Sequence, residues 1–124
     1  MRNKELVREA LEARKQSYCP YSGFAVGAAL LCGDGTVFRG CNIENAAYPA
    51  TNCAERTAMF KAVSEGNTDF REIASWAVRR EKNRRIFCAP CGVCRQVMAE
   101  FCDPETFRIV LMNGDGEIRD YLLK

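Results

Sequence analysis

Three cysteines of the chain have the side-chain chemistry and the spacing of ligands to a soft metal ion. Cys91-Gly-Val-Cys94 is a C-x-x-C motif at the predicted start of one helix, and Cys53 stands at the predicted start of another. The unpaired N–H groups and the dipole at a helix N-terminus favour a thiolate over a thiol. Two helix starts that meet at one point would therefore supply three ionised sulfur ligands, which suit zinc.

Glu55 is the residue that we expect to move protons at this site. Zinc with three protein ligands keeps a fourth position for water and lowers the pKa of that water to about 7. Glu55 lies two residues after Cys53, and positions i and i+2 do not share a face of a helix. We therefore expect Glu55 to be a proton carrier on the substrate side, not a further ligand. The chain has no histidine, so the usual general base near neutral pH is absent.

Cys88 leaves other interpretations of the cysteines open. It could form a redox pair with Cys91, or begin a C-x-x-C-x-x-C run typical of iron–sulfur proteins. The iron–sulfur pattern requires a further cysteine where this chain has Met98, which disfavours it. A closed, structural zinc site with Cys88 as fourth ligand beside Cys53, Cys91 and Cys94 remains an alternative to a catalytic one.

The hydrophobic pattern predicts the elements that position these residues. Helices are expected at residues 4–16, 53–65 and 91–101, and strands at 24–32, 36–41, 73–78, 107–112 and 117–123. The first two strands flank an Asp-Gly turn and form a hairpin. Helices interleaved with strands favour an α/β fold in which a mixed sheet carries helices on its faces.

Size and composition indicate one domain over residues 1–124. The chain has 124 residues, of which 48% are hydrophobic, as is usual for a single globular core. Neither a secretory signal nor a membrane-spanning run is visible, so we expect a cytoplasmic protein with no membrane partner. Its eight cysteines then fit reduced thiols better than disulfides.

The basic residues are concentrated in one segment, Arg79–Arg85, which holds five of them against Glu81. The net charge of the whole chain is only +2, so it creates no global field for nucleic acid, and we expect no nucleic-acid partner. A solvated loop is the simpler interpretation of the segment, and a contact for a phosphorylated or RNA substrate is the alternative.

Several separate motifs, in order, resemble the cytidine deaminase family. They are Pro20-Tyr-Ser-Gly-Phe24 with Val26–Leu30, Gly40-Cys-Asn-Ile-Glu-Asn45, Cys53-Ala-Glu-Arg-Thr-Ala58 and Cys91–Val97. The similarity covers nearly the whole chain and is strongest to the small homotetrameric nucleoside deaminases. It implies a three-layer fold of the cytidine deaminase type, with about five strands and helices on both faces of the sheet.

The resemblance also implies a reaction. Cys53, Cys91 and Cys94 would hold Zn²⁺, and zinc-bound hydroxide would attack C4 of cytidine or deoxycytidine. Glu55 would shuttle protons to the pyrimidine N3 and to the departing amine, giving uridine or deoxyuridine and ammonia, a step of pyrimidine salvage. Blasticidin S deaminases look similar around the zinc motifs and are the alternative with the same chemistry.

Substrate contacts are implied for six further residues. Asn42 and Glu44 would bind the ribose hydroxyls, and Phe24 would pack on the pyrimidine. The Ala54 N–H would bind the base carbonyl, and the Ala89 carbonyl would lie near the leaving amine. Tyr48 would lie near the site of a neighbouring subunit.

Arg56 would donate hydrogen bonds to the cysteine thiolates. Because three thiolates leave a zinc centre with net negative charge, a guanidinium beside the sulfurs would restore its strength as a Lewis acid.

Overall fold

The computed structural model of the chain describes residues 3–47, 50–79, 92–112 and 117–123, and for Asn3 and residues 77–79 it describes the backbone alone. The elements within these ranges are α1 (Asn3–Arg14), β1 (Phe24–Cys32), β2 (Val37–Cys41), α2 (Ala54–Ser64), β3 (Phe70–Arg79), α3 (Gly92–Phe101), β4 (Arg108–Met112) and β5 (Ile118–Leu122). Their order is the predicted one. The largest difference between a predicted and an observed boundary is at β3, which begins three residues earlier than predicted.

The strands form one mixed sheet in the order β2-β1-β3-β4-β5. β1 lies antiparallel to both β2 and β3, and β4 lies antiparallel to β5. β3 and β4 are parallel, so the chain must cross over between them, and α3 lies in that connection. The prediction of a mixed sheet of about five strands is confirmed.

Helices cover both faces of the sheet, because successive side chains of a strand point to opposite sides. One face packs against α1, and the strand residues of its hydrophobic cluster are Ala29, Ala74 and Val110. The other face packs against α2 and α3, and its buried strand residues include Ala28, Leu30, Ile73, Ile109 and Leu111. The predicted three-layer arrangement is therefore confirmed.

Two buried glycines allow helices to approach the sheet closely. A Cβ atom at Gly40 of β2 would meet the Ala54 carbonyl oxygen of α2 and would lie 2.5 Å from the Ala58 nitrogen. A Cβ atom at Gly27 of β1 would meet the Ala10 carbonyl oxygen of α1. Because these obstacles are backbone atoms, which cannot rotate away, the first turn of α2 sits where it does only with glycine at position 40.

No helix in the described part of the chain has the length and hydropathy needed to cross a membrane.

Candidate active site

Cys53 lies immediately before α2, as its N-cap residue. Its backbone is extended, with φ −74° and ψ 154°, and the helix itself begins at Ala54. The thiol therefore lies at a helix N-terminus, as predicted. Cys53 and Glu55 were predicted to lie on different faces of one helix, whereas Cys53 in fact precedes the helix that carries Glu55.

A thiol–carboxylate cluster brings α2 and α3 together. The Sγ atoms of Cys53 and Cys94 and a carboxylate oxygen of Glu55 all lie within 4.8 Å of one another. Cys94 is in the first turn of α3 and is fully buried, and its thiol donates to Glu55 Oε2 at 3.7 Å. The structure thus brings together three of the four residues that were predicted to form the centre. The fourth, Cys91, lies outside the described residues, as does Cys88.

The geometry of the cluster fits a zinc ion. Zn–S bonds of about 2.3 Å place the ligands of a tetrahedral site roughly 3.8 Å apart. The two sulfurs lie within 4.8 Å of each other, which is near enough for both to bind one ion. Two sulfur donors also match the preference of zinc for soft ligands.

Arg56 contributes positive charge beside the sulfur of Cys53. Its Nη2 donates to Cys53 Sγ at 3.5 Å and to the Thr51 carbonyl oxygen at 3.3 Å. The hydrogen bond to Cys53 raises the pKa of the guanidinium above its ordinary value, so the group stays charged. Its Nε is buried and has no hydrogen-bond partner among the described residues. This is the neighbourhood that the predicted role of Arg56 requires.

Glu55 is a buried carboxylate, with a side chain that water barely reaches. Only 5% of the residue is exposed, and this burial raises the pKa of its carboxyl group. Ser75, on β3, opposes the shift in part by donating from its hydroxyl to Glu55 Oε1 at 3.0 Å. The sequence did not indicate Ser75, and its one signal is a hydroxyl residue within the apolar run of β3.

Asn42 lies directly after β2 and joins it to the start of β1. Its Oδ1 accepts from the Val26 N–H at 3.0 Å, and its Nδ2 donates to the Phe24 carbonyl oxygen at 2.7 Å. Asn42 is buried and Phe24 is partly exposed. The amide therefore has a structural function in holding the backbone of Phe24, whatever else it binds.

Glu44 organises the loop before β1. Its Oε1 accepts from the backbone N–H groups of Tyr21 at 3.0 Å and Ser22 at 3.1 Å, and its Oε2 accepts from the Ser22 hydroxyl. These bonds, the Ser22 hydroxyl foremost, lower the pKa of Glu44 and keep it ionised. A recess of about 250 Å³ opens beside it, lined by Tyr21, Ser22, Glu44, Asn45 and Thr51.

Ala54 is the first residue of α2 and is buried. The first N–H groups of a helix have no carbonyl partner within that helix, so the Ala54 N–H takes no part in the hydrogen bonds of α2 itself.

Of the remaining predicted contacts, Tyr48 and Ala89 lie outside the described residues. The basic segment does too, apart from the backbone of Arg79 at the end of β3.

The fold and the cluster together define an α/β protein in which a buried carboxylate lies beside two thiols that could hold a metal ion. The family model for the cytidine and deoxycytidylate deaminase zinc-binding region matches residues 1–110. The chain belongs to the cytidine deaminase family.

Close relatives support this assignment. A cytidine deaminase of Halalkalibacterium halodurans is 52% identical over 120 residues, which cover 97% of this chain and 86% of that protein. A cytidine deaminase of Sporosarcina psychrophila is 50% identical over 117 residues, which cover 94% and 82%. The crystal structure of cytidine deaminase from Burkholderia pseudomallei superposes with a TM-score of 0.88 at 45% identity, covering 99% of this chain and 94% of that one.

Proposed function

We propose that this protein is a zinc-dependent cytidine deaminase, which hydrolyses cytidine or deoxycytidine to uridine or deoxyuridine and ammonia. The observation that carries the proposal is the cluster of Cys53, Cys94 and Glu55 within 4.8 Å at two helix N-termini. Family membership and the names of relatives with about half of their residues identical support the substrate.

Cys53 and Cys94 would hold the zinc ion, with Cys91 as the third ligand. When bound, zinc supplies Lewis acidity and makes water a nucleophile near neutral pH. Arg56 would draw charge from the Cys53 sulfur through the hydrogen bond that the structure contains.

Glu55 would carry protons between the attacking water, the pyrimidine N3 and the leaving amine. Its carboxylate is buried beside the thiols, so a proton that it accepts is shielded from exchange with bulk water. The proton taken from water reaches N3 as the C4–O bond forms. A second proton, from the hydroxyl group now on C4, would then reach the amine as the C4–N bond breaks and the C4=O bond forms, which releases ammonia.

The proposed substrate contacts build on bonds already in place. A primary amide has two N–H donors, and since one of Asn42 goes to Phe24, we propose that the other binds a ribose hydroxyl. Glu44, fixed by the loop at Tyr21 and Ser22, would accept from the sugar. Phe24 would pack on the base, the Ala54 N–H would bind the base carbonyl, and Ala89 and Tyr48 would complete the site.

Other features stay predictions from the family resemblance: the homotetramer, the cytoplasmic location and the place in pyrimidine salvage. The alternatives are not favoured. A blasticidin S substrate lacks the support that relatives at 50% identity and above, named as cytidine deaminases, give to cytidine. A purely structural zinc site accounts for neither the buried Glu55 beside the thiols nor those relatives.

The decisive experiment compares Glu55→Gln with wild type, using cytidine, deoxycytidine, CMP and blasticidin S as substrates. We expect wild type to act on the first two and Glu55→Gln to lose at least about 10²-fold in kcat while it retains zinc. Glu72→Gln is the matched control, because Glu72 is also buried but lies on β3 beside Arg108. Ordinary turnover in Glu55→Gln would remove Glu55 from the mechanism.

Cys88→Ser tests the structural-zinc alternative. We expect this variant to keep both zinc and activity, whereas zinc loss would identify Cys88 as a fourth ligand and contradict the catalytic interpretation.

A further inference from the structure

Ser75 is a polar residue on an apolar face of the sheet. It lies in the middle of β3 and is 2% exposed. Its register partners are Ala28 on β1 and Leu111 on β4, both buried in the core beneath α2 and α3. A buried hydroxyl is costly unless it is hydrogen-bonded. The presence of a serine at this buried position, and the bond that it makes there, therefore require an explanation.

The hydroxyl of Ser75 gives the two oxygens of Glu55 different environments. Oε1 accepts from Ser75 Oγ at 3.0 Å, whereas Oε2 lies 3.7 Å from Cys94 Sγ, on the side of the thiols. The terminal torsion of a glutamate is broad and roughly two-fold, so an unanchored carboxylate can exchange its oxygens. Since the two oxygens are chemically equivalent, what an anchor on one of them controls is the orientation of the carboxylate plane, which keeps the other oxygen in one position on the side of the thiols.

The anchor itself is rigid. β3 is a central strand, hydrogen-bonded to β1 on one side and β4 on the other. Glu55, in contrast, projects from the first turn of α2, where the helical hydrogen bonds are incomplete. Ser75 thus joins the tip of the Glu55 side chain to a strand that is paired on both sides.

We propose that Ser75 is a positioning residue, which holds Glu55 Oε1 so that Oε2 is the oxygen that exchanges protons with the substrate. The inference rests on the proposed function of Glu55 as the proton carrier. Ser75 does not touch the substrate in this account, and it acts through the orientation of Glu55 alone.

The kinetic test uses Ser75→Thr and Ser75→Val, which have the same branched shape and differ in the hydroxyl. Misplacement of a catalytic group by 1 Å can cost about 10²-fold in rate, and we expect a carboxylate that is free to rotate to cost about 10-fold in kcat. Zinc-loaded Ser75→Val and Ser75→Ala should show this loss in kcat, with KM changed by less than about 2-fold, because the loss lies in the transition state. Ser75→Thr should retain most of the wild-type kcat.

Equal values of kcat for Ser75→Thr and Ser75→Val would overturn the proposal, because they would show that the hydroxyl has no role. A loss confined to KM would also overturn it. Purely structural damage by the added methyl group would affect both variants alike, so the comparison between them is independent of it.

A second measurement does not depend on activity. In the wild-type background, Ser75→Ala should raise the unfolding equilibrium constant by about 10-fold, because the substitution leaves the buried Glu55 Oε1 without this hydrogen-bond donor. In a Glu55→Leu background the same substitution should leave that constant unchanged or lower it, because the hydroxyl then has no partner. The same effect in both backgrounds would show that the two residues are not coupled and would overturn the proposal.

The two measurements separate this inference from the proposed function. If wild type deaminates none of the four substrates, the proposed function fails. The double-mutant cycle of unfolding constants, with Ser75→Ala in the wild-type and Glu55→Leu backgrounds, still reports whether Ser75 holds Glu55. If wild type is active but the cycle shows no coupling and the kcat values of Ser75→Thr and Ser75→Val agree, the role of Ser75 alone fails.

Discussion

Gly40 offers a way to displace the proposed site without touching any of its side chains. A Cβ atom at position 40 would lie 2.5 Å from the Ala58 nitrogen and closer still to the Ala54 carbonyl oxygen, whereas ordinary contact begins at 3.4 Å. The Gly40→Ala variant must therefore push the first turn of α2 away from β2 by about 1 Å, which is the shift that the Ala54 carbonyl oxygen, the nearer obstacle, requires. That turn carries Glu55 and follows Cys53 directly.

The expected loss follows from this displacement. Overpacking of a core by one methyl group costs about 1–3 kcal/mol of folding free energy. A shift approaching 1 Å at a catalytic group costs up to about 10²-fold in rate. We therefore expect zinc-loaded Gly40→Ala to lose about 10- to 100-fold in kcat/KM and to bind zinc more weakly than wild type, in addition to its loss of stability.

Gly27→Ala is the matched control. Its Cβ atom would meet the Ala10 carbonyl oxygen of α1 and lie 2.6 Å from the Arg14 nitrogen, so it strains the packing of a helix at least as severely. But α1 covers the opposite face of the sheet from Cys94 and Glu55. We expect a comparable loss of stability, with activity per folded, zinc-loaded molecule close to that of wild type.

The assay combines urea unfolding, metal content and kcat/KM for both variants. Cobalt substitution adds a direct measurement, because its absorption bands report the geometry of the thiolate ligands. A displaced site is ruled out if Gly40→Ala and Gly27→Ala lose activity in the same proportion to their loss of stability, or if the cobalt spectrum of Gly40→Ala is that of wild type.

Three further predictions follow from burial and charge. Burial raises the pKa of Cys32 to about 11 and of Cys102 to about 12, so neither thiol should be alkylated at pH 8 in the folded chain, as mass mapping of the labelled sites would show. Burial also raises the pKa of Glu72 above its unfolded value, despite Arg108 nearby. The stability contributed by protonated Glu72 is therefore fully present below about pH 4.3 and is lost as pH rises through the raised pKa. The unfolding free energy of Glu72→Gln should therefore rise relative to that of wild type as pH increases from 4 to 7. A difference between the two proteins that stays constant with pH would contradict this prediction. Cys94→Ser should lose zinc while Cys102→Ser keeps it, as measured by metal content after dialysis.

Local pattern predicted the elements well, because each has a clear hydrophobic period or a clear break. β3 is the exception. Its first residues, Phe70, Arg71 and Glu72, include two charges that are unusual for a central strand, and the prediction therefore began later. Glu72 is nevertheless buried, and Arg108 of the neighbouring strand lies 4.0 Å from it. The start of a strand whose charged residue lies beside a charged residue of another strand cannot be identified from its own residues alone.

The candidate site shows the same division between local and tertiary information. Cys53 at a helix start could be predicted, because the change from loop to helix is local. Ser75 could not, since a lone serine in a strand does not reveal that its partner is a glutamate from another element. Asn42 and Glu44 were predicted as ribose ligands, but no local pattern indicated that both also hold the backbone near β1.

The two faces of the sheet differ in what they can tolerate. The face of the sheet beneath α1 buries Glu72 beside Arg108. Among the described residues, no proposed substrate contact lies on this face. The face beneath α2 and α3 places Ser75 and Glu55 between apolar neighbours and a pair of thiols. A hydrogen bond there has little competition from water, so it orients a side chain firmly, and its loss leaves a polar atom buried without a partner. Substitutions on the first face should therefore change stability and leave the reaction intact, whereas conservative changes on the second should alter kcat before they unfold the protein.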